Sequence, residues 1–98
     1  MSNDAASQDF AGRVAIVTGA ARGLGRAAAL RLHARGAAVA VHLRDATRAA
    51  AFAAELGERA LAVDGDLATD GVPARIVERT LERFGRLDIL VNLSLIHI

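Results

Sequence analysis

Residues 14 to 25 read Val14, Ala15, Ile16, Val17, Thr18, Gly19, Ala20, Ala21, Arg22, Gly23, Leu24 and Gly25. The first four form a short, largely β-branched run, and helical spacing begins inside the glycine stretch, so the order is strand, turn, helix. Three glycines in such a turn permit dihedrals closed to other residues. They let a ligand approach the main chain and leave the N–H groups of the helix start pointing at it. A corner of this kind attracts phosphate. Its spacing, Gly-x-x-x-Gly-x-Gly, differs from the Gly-x-Gly-x-x-Gly dinucleotide fingerprint and lacks the Gly-Lys-Ser/Thr of a P-loop, which argues against a nucleoside triphosphate site. The competing reading is a glycine turn that only packs helix against strand.

The pattern continues on either side of this stretch as an alternation of short apolar runs and helical segments, the rhythm of a parallel sheet. Further strands are predicted over Ala38 to Leu43, Leu61 to Val63 and Leu87 to Val91, all buried and covered on both faces. The first helix is predicted from about Leu24 to Arg35, with Leu24, Ala28 and Leu32 on the side that lies on the sheet and Gly36 as its stop. A second helix fits Ala46 to Leu56, closed by Gly57. A third fits Val72 to Phe84, with Ile76, Val77, Thr80, Leu81 and Phe84 facing inward, Asp70 or Thr69 as its cap, Pro73 in its first turn and Gly85 as its end.

Composition narrows the chemistry. All 12 basic residues of the 98 are Arg, and Cys, Trp, Tyr and Lys are absent. No disulfide, thiolate nucleophile, cysteine zinc site, or mechanism built on Tyr or Lys is available within these residues. The absence of Cys suits a reducing, cytoplasmic setting. The uncharged apolar runs fall short of the roughly 18 residues that span a bilayer, so no membrane partner is expected. The net charge of +1 hides an asymmetry, because residues 13 to 48 hold seven Arg against one Asp. With three Phe as the only aromatics, this basic half lacks the stacking platform of a nucleic-acid binder and suits a smaller anion such as a nucleotide.

From Thr18 through Gly25 the chain resembles the short-chain dehydrogenase/reductase family, whose signature is Thr-Gly-x-x-x-Gly-x-Gly after the first strand. Gly12 to Val17 resemble that family's first strand, and Leu87, Asp88, Ile89, Leu90, Val91 and Asn92 its fourth. The resemblance spans about residues 10 to 92. It implies a Rossmann-type α/β fold, a parallel sheet with helices on both faces, of which only the first half, with strand order 3-2-1-4, is present. It also implies a bound nicotinamide dinucleotide, its pyrophosphate at Gly23, Leu24 and Gly25 and its neighbours Gly19, Ala21 and Arg22 around the turn. The family's chemistry is hydride transfer to or from a carbonyl or alcohol on a small-molecule substrate.

After the second strand, a carboxylate would hold a ribose 2′-hydroxyl and an Arg would pair with a 2′-phosphate. Here Leu43 stands where NAD-preferring members of the family carry Asp, Arg44 follows it, and Arg22 stands where NADP-preferring members often carry a basic residue. The expected cofactor is NADP, in preference to NAD. Asp45 either turns toward the ribose or caps the second helix. Arg44 is otherwise a solvated surface residue, and Arg48 is read as surface. The resemblance gives Asp66 the adenine amino group and Leu67 the ring, with a self-bonded Asp turn as the alternative. It places Asn92 beside the cofactor as a brace of the sheet. His33, His42 and His97 lack partners at metal-ligand spacing, so no metal is expected.

Residues 1 to 9 are polar and read as a flexible tail, with the dinucleotide-binding segment over residues 10 to 92. Beyond Asn92 the family continues Asn-Ala-Gly, whereas this chain reads Leu93, Ser94, Leu95, Ile96, His97, Ile98. Those six residues are encodable by CTG TCT CTT ATA CAC ATC, the end of a transposase-derived sequencing adapter. They are therefore expected to be a non-native tail. The family's catalytic Ser, Tyr and Lys lie downstream of that point, so no catalytic residue is assigned and the chain is expected to be inactive alone, with strand four an exposed edge and solubility poor. The full-length protein is expected to be a homo-oligomer. Two other readings stand beside the enzyme: a dinucleotide sensor on the same fold that binds without turnover, and a methyltransferase-like domain, which Leu43 and Arg44 disfavour because a ribose carboxylate is missing there.

Overall fold

The structure, a computed structural model, describes residues 9–92. Its elements run β1 (Val14–Thr18), α1 (Gly23–Ala34), β2 (Ala38–Leu43), α2 (Ala46–Leu56), β3 (Ala60–Asp64), α3 (Val72–Phe84) and β4 (Ile89–Asn92). The four strands form one parallel sheet in the order β3-β2-β1-β4, with Ile16 opposite both Ala40 and Leu90. This is the first half of a doubly wound fold, with the chain crossing from the β1–β2–β3 side to β4 at the edge of β1. The tails expected over residues 1–9 and 93–98, and His97 within the second, lie outside the described residues except for Asp9. Its carboxylate pairs with Arg35 at 2.7 Å.

Every residue of β1 is buried. Strand alternation sends Val17, Val39, Val41 and Leu43 into the core beneath α1 and α2, and Ile16, Ala40 and Val63 toward α3 and its Ile76. The first face is filled by Phe52 from α2, by Ala29 from α1, and at its margin by Phe10, Leu32 and Leu56. The α1 seam is closed by small residues. Gly25 and Ala29 are its buried positions, and a Cβ at Gly25 would collide with the Gly19 carbonyl.

That seam corrects the facing read from sequence. Leu24 is 76% exposed and does not lie on the sheet, while Ala28 and Leu32 flank the buried pair. Once Gly25 is pressed onto the β1 turn, the helix phase is fixed and Leu24, one residue earlier, turns outward. On α3 only Ile76 and Thr80 are buried, whereas Val77 and Leu81 are 37% and 43% exposed. The buried Thr80 hydroxyl is satisfied by donating to the Ile76 carbonyl at 2.8 Å. Nor is α3 capped by Asp70 or Thr69. Its N-cap is Gly71 in the left-handed region, and the Thr69 main-chain carbonyl accepts from the Val72 N–H. Pro73 and Gly85 take their expected places at its two ends, and Asp45 caps α2 by accepting from the N–H groups of Thr47 and Arg48. Finally, β4 is not buried like β1 and β2: among the described residues its side chains alternate between half-buried and exposed, and Leu90 is 59% exposed.

A carboxylate locks β4 in register. Asp88 exchanges main-chain contacts with Val14, donating its N–H to the Val14 carbonyl while its side chain accepts the Val14 N–H, each at 2.8 Å. Arg86 closes on the same carboxylate with Nε and Nη2 at 2.9 and 2.8 Å. The Arg86 hydrogen bonds, followed by that from Val14, hold the Asp88 carboxyl below its ordinary pKa. A depressed folded-state pKa means that this stabilisation is complete above the ordinary carboxylate value of about 4 and fades as pH falls through the folded one. Thermal unfolding across a pH series is therefore expected to show Asp88→Asn less stable than the parent chain at pH 7, with the gap narrowing in acid. At the seam, Gly25→Ala forces a methyl group against backbone that cannot rotate away. Urea denaturation is expected to read a loss of about 1–3 kcal/mol, the usual cost of overpacking.

Candidate functional site

The residues singled out from sequence gather at the carboxyl edge of the sheet. Thr18 ends β1 and donates its hydroxyl to the Asn92 side-chain oxygen at 3.0 Å, tying β1 to β4 where both strands finish. Next comes the glycine corner, where Gly19 and Gly23 both have φ of +63°. Nothing stands within 4 Å of where a Gly23 Cβ would be, so its glycine is required by backbone conformation and the space before it is open. Arg22, the N-cap of α1, is extended and gives no side-chain cap, and the first turn holds no acidic residue. The helix start therefore presents uncapped N–H groups and positive dipole to the open side. Ala21 is half-buried against the core, while Arg22 and Leu24 are exposed.

At the ends of β2 and β3, Arg44 and Asp66 come together. Arg44 Nη2 lies 2.9 Å from one Asp66 oxygen, and the other oxygen accepts the Ala68 N–H at 2.9 Å. Asp66 thus forms the self-bonded turn and still faces the edge. Leu67 packs beneath it, against the core on the α3 side. Asp45 caps α2 through one carboxylate oxygen, which accepts from the N–H groups of Thr47 and Arg48 at 2.8 and 3.1 Å. Arg48 lines a cleft with Ala21, Leu43 and Phe52 between α1 and α2, beside the Arg22–Arg44 edge, and it forms no ion pair among the described residues.

One participant was not foreseen. His42 is 4% exposed, accepts the Gly19 N–H at Nδ1 over 3.2 Å, and meets the Gly65 carbonyl with Nε2 at 2.8 Å. A polar side chain inside an otherwise apolar buried strand was the available signal. Arg75 of α3 reaches the same turn and donates to the Asp64 carbonyl at 2.7 Å. Among the described residues no cluster of His, Cys, Asp and Glu could hold a metal ion, and no helix is long and apolar enough to cross a membrane.

The donor set fits a group carrying a diphosphate and a purine nucleoside: uncapped helix N–H groups behind open-faced glycine, two arginines at the rim, and a carboxylate at the end of β3. Comparison with known proteins agrees. The model of the short chain dehydrogenase family matches residues 13–94. The chain is 37% identical over 88 residues to the 1,6-dihydroxycyclohexa-2,4-diene-1-carboxylate dehydrogenase of Acinetobacter baylyi, covering 88% of this chain and 34% of that protein. It is similar to the 3-ketoacyl-(acyl-carrier-protein) reductase of Brucella melitensis, solved in complex with NADH (TM-score 0.78, 40% identity, 83% of this chain and 34% of that one). It is also similar to the hydroxysteroid dehydrogenase of Escherichia coli (TM-score 0.81, 28% identity, 94% of this chain and 39% of that one). The chain spans about a third of the length of these relatives. It belongs to the short-chain dehydrogenase/reductase family, as the part that carries the glycine corner and the first four strands of an NAD(P)-binding fold.

Proposed function

We propose that the chain is the NADP(H)-holding segment of an oxidoreductase that moves hydride to or from a carbonyl or alcohol, and that these residues alone do not turn over substrate. The observation that carries the preference for NADP is the state of the edge's charges. Arg22 and Arg44 flank the glycine corner, Leu43 offers no carboxylate, Asp45 uses one of its oxygens in the α2 cap, and Asp66 is shared between Ala68 N–H and Arg44. A 2′-phosphate at the end of β2 would find the Arg44 guanidinium, with Arg22 on the neighbouring corner, and the position of Leu43 supplies no carboxylate for a ribose 2′-hydroxyl. The corner at Gly19, Ala21, Gly23, Leu24 and Gly25 receives the diphosphate, Asp66 and Leu67 receive the adenine, and Asn92 bounds the far side. When bound, the nicotinamide supplies or accepts the hydride. Tyr and Lys, which the family's proton transfer uses, do not occur among the 98 residues.

The whole enzyme is proposed to be a cytoplasmic homo-oligomer, with residues 93–98 foreign to it. Sequencing the genomic locus tests the second point. A frame that continues past Asn92 with Asn-Ala-Gly and reaches a Tyr-x-x-x-Lys motif is expected; a native stop after Ile98 refutes it, and a long frame without Tyr-x-x-x-Lys favours the sensor. Calorimetric titration tests cofactor choice. NADPH is expected to bind about tenfold or more tightly than NADH, a difference of at least ~1.4 kcal/mol, and Arg44→Ala is expected to erase most of that gap. Equal affinities in the parent chain refute the NADP preference, and affinity for neither refutes the cofactor assignment.

A further inference from the structure

His42 lies on β2 with its ring toward the α3 side, the side of Ala40 beneath it. Its two ring nitrogens meet two different turns: the one after β1, which forms the glycine corner, and the one after β3, which leads to Asp66. A main-chain N–H only donates and a carbonyl only accepts. The Gly19 contact therefore requires a bare Nδ1, and the Gly65 contact requires a proton on Nε2. The partners select one neutral tautomer. The main chain adds a third tie, since the Ala20 N–H donates to the His42 carbonyl at 2.9 Å.

The second turn is also held from behind. Gly65 has φ of +120°, and a Cβ there would press on the Arg75 guanidinium and on Val72, each at 2.9 Å. Arg75 and Val72 thus block Gly65 on one side while His42 pulls on its carbonyl. The imidazole thus bridges the two turns. We propose that His42 is a positioning residue for the dinucleotide: it fixes the distance between the diphosphate corner and the adenine turn, so that a ligand spanning both is recognised as a unit. This rests on the cofactor assignment proposed above.

The test compares a ligand that spans both turns, NADPH, with one that lacks the diphosphate bridge, adenosine 2′-monophosphate, on the parent chain, His42→Leu and His42→Asn. Leu fills much of the space without polar contacts. Asn places an oxygen near the position of Nδ1 and restores the Gly19 contact alone. His42→Leu is expected to weaken NADPH about tenfold, the scale of one to two lost hydrogen bonds, while adenosine 2′-monophosphate changes by less than about twofold. His42→Asn is expected to recover part of the NADPH loss. Imidazole 15N shifts of the parent chain are expected to report the Nε2–H tautomer near neutral pH. An equal loss for both ligands marks a role in folding only and overturns the proposal, as does an unchanged NADPH affinity or an Nδ1–H or doubly protonated ring. If His42→Leu fails to fold, the His42→Asn comparison and the ring tautomer decide. A parent chain that binds neither ligand refutes the cofactor assignment itself, and this inference with it. A parent chain that binds NADPH while the variants match it refutes this inference alone.

Discussion

The close approach of Gly25 to the Gly19 carbonyl is the contact on which the rest of the molecule depends. Any side chain at position 25 would lift α1 off β1, and the helix start would no longer stand over the end of the strand. With the two backbones in contact, the chain must turn through positive φ at Gly19 and Gly23, so the glycines of the corner serve different physical ends. Gly25 is required by packing. Gly19 and Gly23 are required by conformation, and Gly23 leaves the space in front of it free. Alanine is common throughout the core: Ala15, Ala20, Ala29, Ala37, Ala40 and Ala49 are all within 1% of full burial. Small side chains bury little apolar area each. Such a core gains cohesion from dense backbone contact and from the sheet's own hydrogen bonds.

The two faces of the sheet are unequally furnished. Beneath α1 and α2, large side chains such as Phe52, Leu32 and Leu56 fill the space between helix and strand. On the other face, Ile76 of α3 and the flanking Leu67 and Leu87 cover Ile16, Ala40 and Val63. The margin toward β4 is an apolar cleft lined by Ile16, Leu67, Pro73, Ile76, Val77 and Leu90. With Leu90 itself 59% exposed, this cleft leaves apolar side chains open to solvent. Register at β4 is accordingly not secured by burial alone. The Asp88 carboxylate, bridging the Val14 N–H and the Arg86 guanidinium, pins that strand where packing is thin.

What the sequence made legible follows from what is local. The β-branched run at Val14 to Val17, Pro73 at the start of α3 and Gly85 at its end are each decided within a few residues, and each is where the pattern puts it. The facing of α1 was misread because hydrophobic spacing marks large residues, and here glycine and alanine do the packing while Leu24 points outward. Side-chain contacts between distant residues were beyond reach for a related reason. The link between Arg44 and Asp66 crosses 22 residues, and His42 touches Gly19 and Gly65, each 23 residues away. Nothing in the spacing of those residues reveals that adjacent strand ends bring them together; only the sheet order does.

The Arg44–Asp66 pair bears on how the edge would receive an anion. An attached carboxylate could be taken to mean that Arg44 is already satisfied and unavailable. Magnitudes decide otherwise. The two side chains are 78% and 42% exposed, and an ion pair in that much water contributes at most about 1 kcal/mol. A dianionic phosphate offers a guanidinium two parallel hydrogen bonds and twice the charge, so exchanging partners costs less than it returns. Asp66 loses little in the exchange, because its other oxygen keeps the Ala68 N–H and the turn that aims it stays intact. The pair is therefore a weak, solvent-exposed contact on which the turn that holds Asp66 does not depend.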